Sequence, residues 1–201
     1  MRISNRQRGV SMIEVLTVVS IIGILLVAVA PEITTQLRNA QIRNAADSMI
    51  AGLQRARSEA IRRNQDVRFS LVSDLSDDCV LSSSAGSWVV SLDDPVGNCA
   101  TPASESTAPR ILAVHSAADG NVMAKVVATQ ADGATPAREI IFNGFGRPKD
   151  ATQLGRIVMS SANSPTEYRS YRVDVSPVGG VRMCDTKVSQ TSEDPRRCPP
   201  A

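Results

Sequence analysis

The sequence predicts an α+β protein in which one long N-terminal helix packs on an antiparallel β-sheet head. Three observations carry that prediction. Residues 10–30 are almost wholly apolar, residues 31–64 repeat apolar side chains at helical spacing, and the remainder breaks into short β-rich runs. The 201 residues suffice for one ordinary core plus an appendage. The organisation read from these patterns is a basic leader over 1–9, a transmembrane helix over 10–30, an amphipathic helix over 31–64 and a globular head over 65–201.

The first element follows from its length and flanks. Val10–Ala30 spans about 30 Å as a helix, enough to cross a bilayer core. A cleavable secretory signal has a shorter apolar region and a small-residue cleavage site, whereas this run leads straight into the amphipathic segment. A signal anchor fits better, with Arg2, Arg6 and Arg8 holding the leader in the cytoplasm. One residue interrupts the run. Glu14 stands where an acid costs about 2.5–3.5 kcal/mol on insertion scales, so it reaches interfacial water or awaits a positive partner in an assembled state. Pro31 marks the end of the run, where it removes a backbone donor and kinks or loosens the helix.

Beyond Pro31, Ile33, Leu37, Ala40, Ala45, Met49, Leu53, Ala56 and Ala60 form an apolar stripe, with arginines largely between them. The helix is expected to continue to about Arg63 and to end in an Asn64-Gln65-Asp66 turn. Strands are expected at 67–72, 88–92, 111–114, 122–128, 140–143, 156–160, 171–176 and 181–184. The intervening Gly, Ser, Asp, Asn and Pro suit hairpins and meanders. The segment 93–109 is expected to be a mobile loop. Cys79, Cys99, Cys184 and Cys198 allow three disulfide pairings. Pairing near neighbours closes short loops and leaves the fold between them free; zinc is a poor rival, because no spacing resembles a metal knuckle and His115 is the only histidine.

Local motifs add a resemblance. Gly9-Val10-Ser11-Met12-Ile13-Glu14 resembles the type III signal of type IV prepilins, in which a basic leader ends in glycine and an acid occupies the fifth mature position. The resemblance implies that a prepilin peptidase cuts after Gly9 and methylates the amine of Val10, and that Glu14 pairs with a neighbouring subunit's terminus. Val10 departs from the usual Phe or Met at that place. Leu53–Asn64, with its Ala-Arg-Ser-Glu-Ala centre, is similar to the helix end of the GspH/FimT group of minor pilins and pseudopilins, and Phe142–Arg147 resembles a turn of the same heads. Membership of that group would imply a single-pass protein of the bacterial inner membrane with a periplasmic head. It would assemble with major and minor pilins or pseudopilins into a type IV pilus or a type II secretion pseudopilus, at the initiating tip.

No catalytic constellation is visible, and neither an enzymatic activity nor a cofactor is expected. His115 lacks a nucleophile context, and Asp77-Asp78 and Asp93-Asp94 lack the alternating pattern of a calcium loop. DNA is the alternative partner. FimT-like proteins of natural transformation use a Gly-Arg-x-Arg stretch, and the matching Gly179-Gly180-Val181-Arg182 keeps only Arg182. Lys187, Arg196, Arg197, Arg147 and Lys149 are the cations that could complete a phosphate-binding patch, since such binding needs several on one face.

Overall fold

The computed structural model describes residues 10–119, 124–163 and 166–200, apart from the side chains of 26–32. Its contacts divide the chain into two units, Met1–Leu37 and Arg38–Ala201. Helix α1 (Met12–Arg63) is followed by β1 (Val67–Val72), β2 (Ser87–Ser91), β3 (Ile111–His115), β4 (Ala124–Thr129), β5 (Glu139–Phe142), β6 (Arg156–Ser161), β7 (Tyr171–Val175) and β8 (Val181–Asp185). This is the α+β architecture expected from the sequence, with strands close to the expected limits.

In the unit Arg38–Ala201 the strands form two four-stranded sheets, ordered β3-β2-β1-β5 and β4-β6-β7-β8. Every ladder is antiparallel, as hairpins and meanders require. A single apolar core joins one face of α1 to both sheets. The helix contributes Ile42, Ala45, Ala46, Met49, Leu53, Ala56 and Ala60, against Phe69 and Trp88 from one sheet and Ile157, Met159 and Val173 from the other. Apart from the adjacent Ala45 and Ala46, these helical positions recur at steps of three and four, so they form one stripe. Alanines and Gly52 keep the stripe shallow and let the helix backbone lie close to the strands.

The expected stripe was longer. Ile33 and Leu37 are more than half exposed and Ala40 is exposed as well; the buried face begins at Ile42. Periodicity alone cannot tell a stripe that has a sheet beneath it from one that has none.

The helix ends in a left-handed residue. Asn64 has φ 50°, and its N–H and that of Gln65 donate to the carbonyls of Ile61 and Ala60. That is the crossed pattern that closes a helix C-terminus, with asparagine in the place where glycine is commonest.

The outer face of β1 and β2 has its own small core. Val72, Val89 and Ile111 pack with the disulfide of Cys79 and Cys99. The segment 93–109, expected to be mobile, is tied at several points. Arg110 donates twice to Asp93 at 2.6 and 2.8 Å, and Arg63 pairs with Glu105. A second disulfide joins Cys184 of β8 to Cys198, holding the tail beside the last strand.

Candidate functional site

Residues 10–25 present apolar side chains in every direction. Val10 is 74% exposed, and Met12, Ile13, Val15, Leu16, Val18, Val19, Ile21, Ile22, Ile24 and Leu25 are each at least half exposed. Successive positions on a helix point all around it, so no single face accounts for them. Two hydroxyls of this run are satisfied locally: Thr17 Oγ1 donates to the Glu14 carbonyl at 2.9 Å, and Ser20 Oγ to that of Leu16 at 2.8 Å. The Glu14 side chain is exposed and has no hydrogen-bond or ion-pair partner among the described residues. Among those residues no helix is long and apolar enough to cross a membrane, and the described side chains of the apolar run stop at Leu25. Gly9, Arg2, Arg6 and Arg8 lie outside the described residues. The backbone at Pro31 is helical, and its side chain also lies outside them.

In the head, two turns meet against the end of α1. Asn143 organises the first: its Oδ1 accepts from the N–H groups of Phe145 and Arg147, at 3.0 and 3.2 Å. Gly146 (φ 70°) lies against Ile61, and its carbonyl accepts from Arg57 Nε at 3.1 Å. The β7–β8 turn supplies Gly179 (φ 80°), where a Cβ would fall 1.8 Å from the Gly146 oxygen. Both positions therefore need glycine, for conformation and for space. Phe145 at the tip is 82% exposed. Arg147 beside it is exposed as well.

The other cations named by the sequence are largely engaged. Lys149 Nζ pairs with Asp66 at 2.6 Å, and Arg182 donates to the Pro195 carbonyl at 3.1 Å. Lys187 Nζ donates to the Thr166 carbonyl, and Arg197 to that of Gln190. Arg196 grips Asp194 through two nitrogens, and its hydrogen bonds hold that carboxyl down at about 2. These cations follow two tracts. Arg182, Lys187, Arg196 and Arg197 lie on β8 and the tail after it, and Arg147 and Lys149 lie on the turn after β5.

Two further features take their full form in the structure. Glu59 is only 12% exposed and receives Arg62 and Arg63 through hydrogen bonds, with Arg55 at 3.7 Å. Burial alone would raise its pKa, but hydrogen bonds from Arg63 and Arg62 outweigh that and hold it below its ordinary value. The arginines four residues before and three and four after Glu59 were the available signal; Glu105, which extends the network, is remote in sequence. His115 stacks on Trp88 with centroids 5.6 Å apart, as a packing residue does. No cluster of three or more metal-ligating side chains occurs among the described residues.

The family described as type II transport protein GspH matches residues 45–179, and the prokaryotic N-terminal methylation motif matches residues 4–30. The chain belongs to the GspH family. Crystal structures of the Pseudomonas aeruginosa type IV minor pilin FimU, in space groups P65 and P21, are similar at 15% and 17% identity, with TM-scores of 0.46 and 0.43. They cover 70% and 72% of this chain and 90% and 88% of theirs. No curated protein matches. The GspH match spans the meeting of the two turns with α1, and the methylation motif contains Glu14.

Proposed function

We propose that this GspH-family chain is a minor subunit of a type IV pilus or type II secretion pseudopilus, built in through its N-terminal helix. The observation that supports it is the all-round exposure of apolar side chains over residues 10–25. Such a helix is stable only where lipid or other helices surround it. Residues 10–30 would first hold the precursor in the inner membrane, with the head in the periplasm. A prepilin peptidase would cut after Gly9 and methylate Val10. Glu14 would then meet the charged amine of a neighbouring subunit, which removes the cost of leaving either charge alone in an apolar medium. Neighbours would be other minor and major pilins or pseudopilins, and the place of a minor subunit would be the initiating tip.

Mass measurement of the protein recovered from the cell envelope tests the processing step. An N-methylated Val10 terminus is expected, and an intact Met1 terminus would overturn it. The pairing is tested separately. Glu14→Val should still insert, because it removes a cost of about 2.5–3.5 kcal/mol, yet it should fail to enter filaments. Incorporation at the wild-type level would refute the pairing.

A DNA-binding role in natural transformation is the second reading. The contact of Gly146 with Gly179 favours it, because that contact brings the Arg147 turn to the turn preceding Arg182. The internal bonds of Lys149, Arg182, Lys187, Arg196 and Arg197 weigh against it. Titrating the chain with duplex DNA at two salt concentrations decides. Salt-sensitive binding weakened by Arg182→Gln supports the role, and its absence removes it.

A further inference from the structure

A cavity of about 350 Å³ opens in the head where Arg43, Arg169 and Arg196 converge over Tyr171, Met183 and Asp185. The three arginines come from separate parts of the chain. Arg43 lies on α1, Arg169 precedes β7, and Arg196 sits on the tail that the Cys184–Cys198 disulfide holds to β8. Tyr171 pairs across the sheet with Asp185, and Met183 lies on the same face of β8, so the strands supply the floor.

Among the described lining residues three arginines stand against one carboxylate, although each arginine also has an ion-pair partner. Asp185 is the one carboxylate in the lining among the described residues, only 2% exposed, and it is already engaged. Its Oδ2 accepts from Arg169 Nη1 at 2.6 Å and its Oδ1 from the Lys187 N–H at 2.9 Å. Arg43 reaches Asp47 only at 3.7 Å, too far for a hydrogen bond. Arg196 is held from outside the cavity by Asp194. The three guanidinium side chains are about half to two-thirds exposed, so donors remain open to a ligand entering from solvent. A guanidinium offers five donors in a planar fork that matches a carboxylate.

We propose that this cavity binds carboxylate groups, presented as an acidic peptide segment of a partner protein. The volume accepts one or two side chains. The exposed rim lets the rest of a chain run past, whereas a site for a free metabolite would enclose it and be mainly apolar. A duplex is too broad to enter a cleft of this size. The disulfide is part of the site, because it keeps Arg196 at the rim.

The test is calorimetric titration of the full chain, in non-ionic detergent micelles, with a hexaglutamate peptide, with citrate and with duplex DNA. Saturable, salt-sensitive binding of the peptide is expected. Arg43→Gln and Arg196→Gln should each weaken it about tenfold. Lys125→Gln, the same charge change at an exposed position of β4, should leave it within about twofold. The double variant Cys184→Ser, Cys198→Ser should weaken it as Arg196→Gln does. Each variant is first shown to be folded by its unfolding curve. Binding of citrate but not of peptide would overturn the choice of ligand. Binding of DNA alone, no binding at all, or equal losses in Lys125→Gln and Arg43→Gln would overturn the site.

Discussion

Replacing Gly52 by alanine sets helix propensity against packing, and the structure decides which wins. Gly52 lies in the interior of α1, where alanine is favoured over glycine by about 1 kcal/mol. A Cβ there, however, would stand 2.6 Å from Phe69 Cε2 and 2.9 Å from both Trp88 Cδ2 and Cε2. Neither ring is free to retreat. Phe69 is fully buried with its centroid 5.7 Å from that of Trp88. Trp88 is held by His115 on one side and by donation from its Nε1 to Ser48 Oγ at 3.0 Å. Overpacking a close-packed core costs about 1–3 kcal/mol, and three contacts this short belong at the upper end. The net expectation is a loss of about 1–2 kcal/mol, or about 2–8 °C in Tm for a head of this size. Unfolding of the full chain in micelles can be followed by fluorescence, since Trp88 is the only tryptophan and sits at the contact. Ala51→Gly, the reverse change at the exposed neighbouring position, should also destabilise, by about 1 kcal/mol. If Gly52→Ala melts at or above the wild-type temperature, the helix does not rest on these rings as described.

Glu59→Gln tests the arginine network. The guanidinium groups of Arg55 and Arg62 are more than half exposed, so solvent screening limits the loss to about 1 kcal/mol at neutral pH. The acid limb is the sharper readout. Glu59, Glu105 and Asp93 all have pKa values lowered in the fold, so their contribution is complete above the unfolded values and disappears as pH falls through the lowered ones. Tm should therefore fall less steeply below about pH 4.5 in Glu59→Gln than in the wild type; identical slopes would refute the network. Replacing Cys79 and Cys99 together by serine should cost about 3 kcal/mol, by freeing the unfolded chain of a closed loop. Limited proteolysis should then cut first within 93–109, and unchanged cleavage would show that Arg110 and Glu105 hold the segment without the bridge.

Much of the fold was legible because it is local. The helix limit at Arg63 follows from Asn64 and the turn residues behind it, and the strand limits follow from β-rich runs between turn formers. Sheet membership was not legible. That β5 joins β1 rather than β4 depends on contacts between residues about seventy positions apart, such as Ser70 with Glu139. The stripe was overextended to Ile33 for a related reason, since an apolar residue awaiting a partner looks like one that has found it. Glu14 stood out as the acid in an apolar run. The Arg43–Arg169–Arg196 cavity did not, because its members are scattered over α1, the segment before β7 and the tail, and each resembles an ordinary surface arginine.

The stretches that resembled the GspH/FimT group gain a shared physical reason from the structure. Leu53–Asn64, Phe142–Arg147 and Gly179–Arg182 are distant in sequence, yet Arg57, Gly146 and Gly179 touch at one point. Arg57 Nε donates to the Gly146 carbonyl, Gly146 rests on Ile61, and Gly179 rests on Gly146. This joint ties the end of α1 to the turn after β5 in one sheet and to the β7–β8 turn in the other. A side chain at either glycine would force the two turns apart. The motif residues at the joint are thus accounted for by the need to hold helix and sheets together, independently of any ligand. Arg147 and Arg182 are different. They flank the joint without closing it: Arg147 is exposed, and Arg182 donates to the Pro195 carbonyl of the tail rather than to either glycine turn. A ligand-specific role in this head is to be sought at such positions, or in the arginine-lined cavity, rather than in the glycines of the joint.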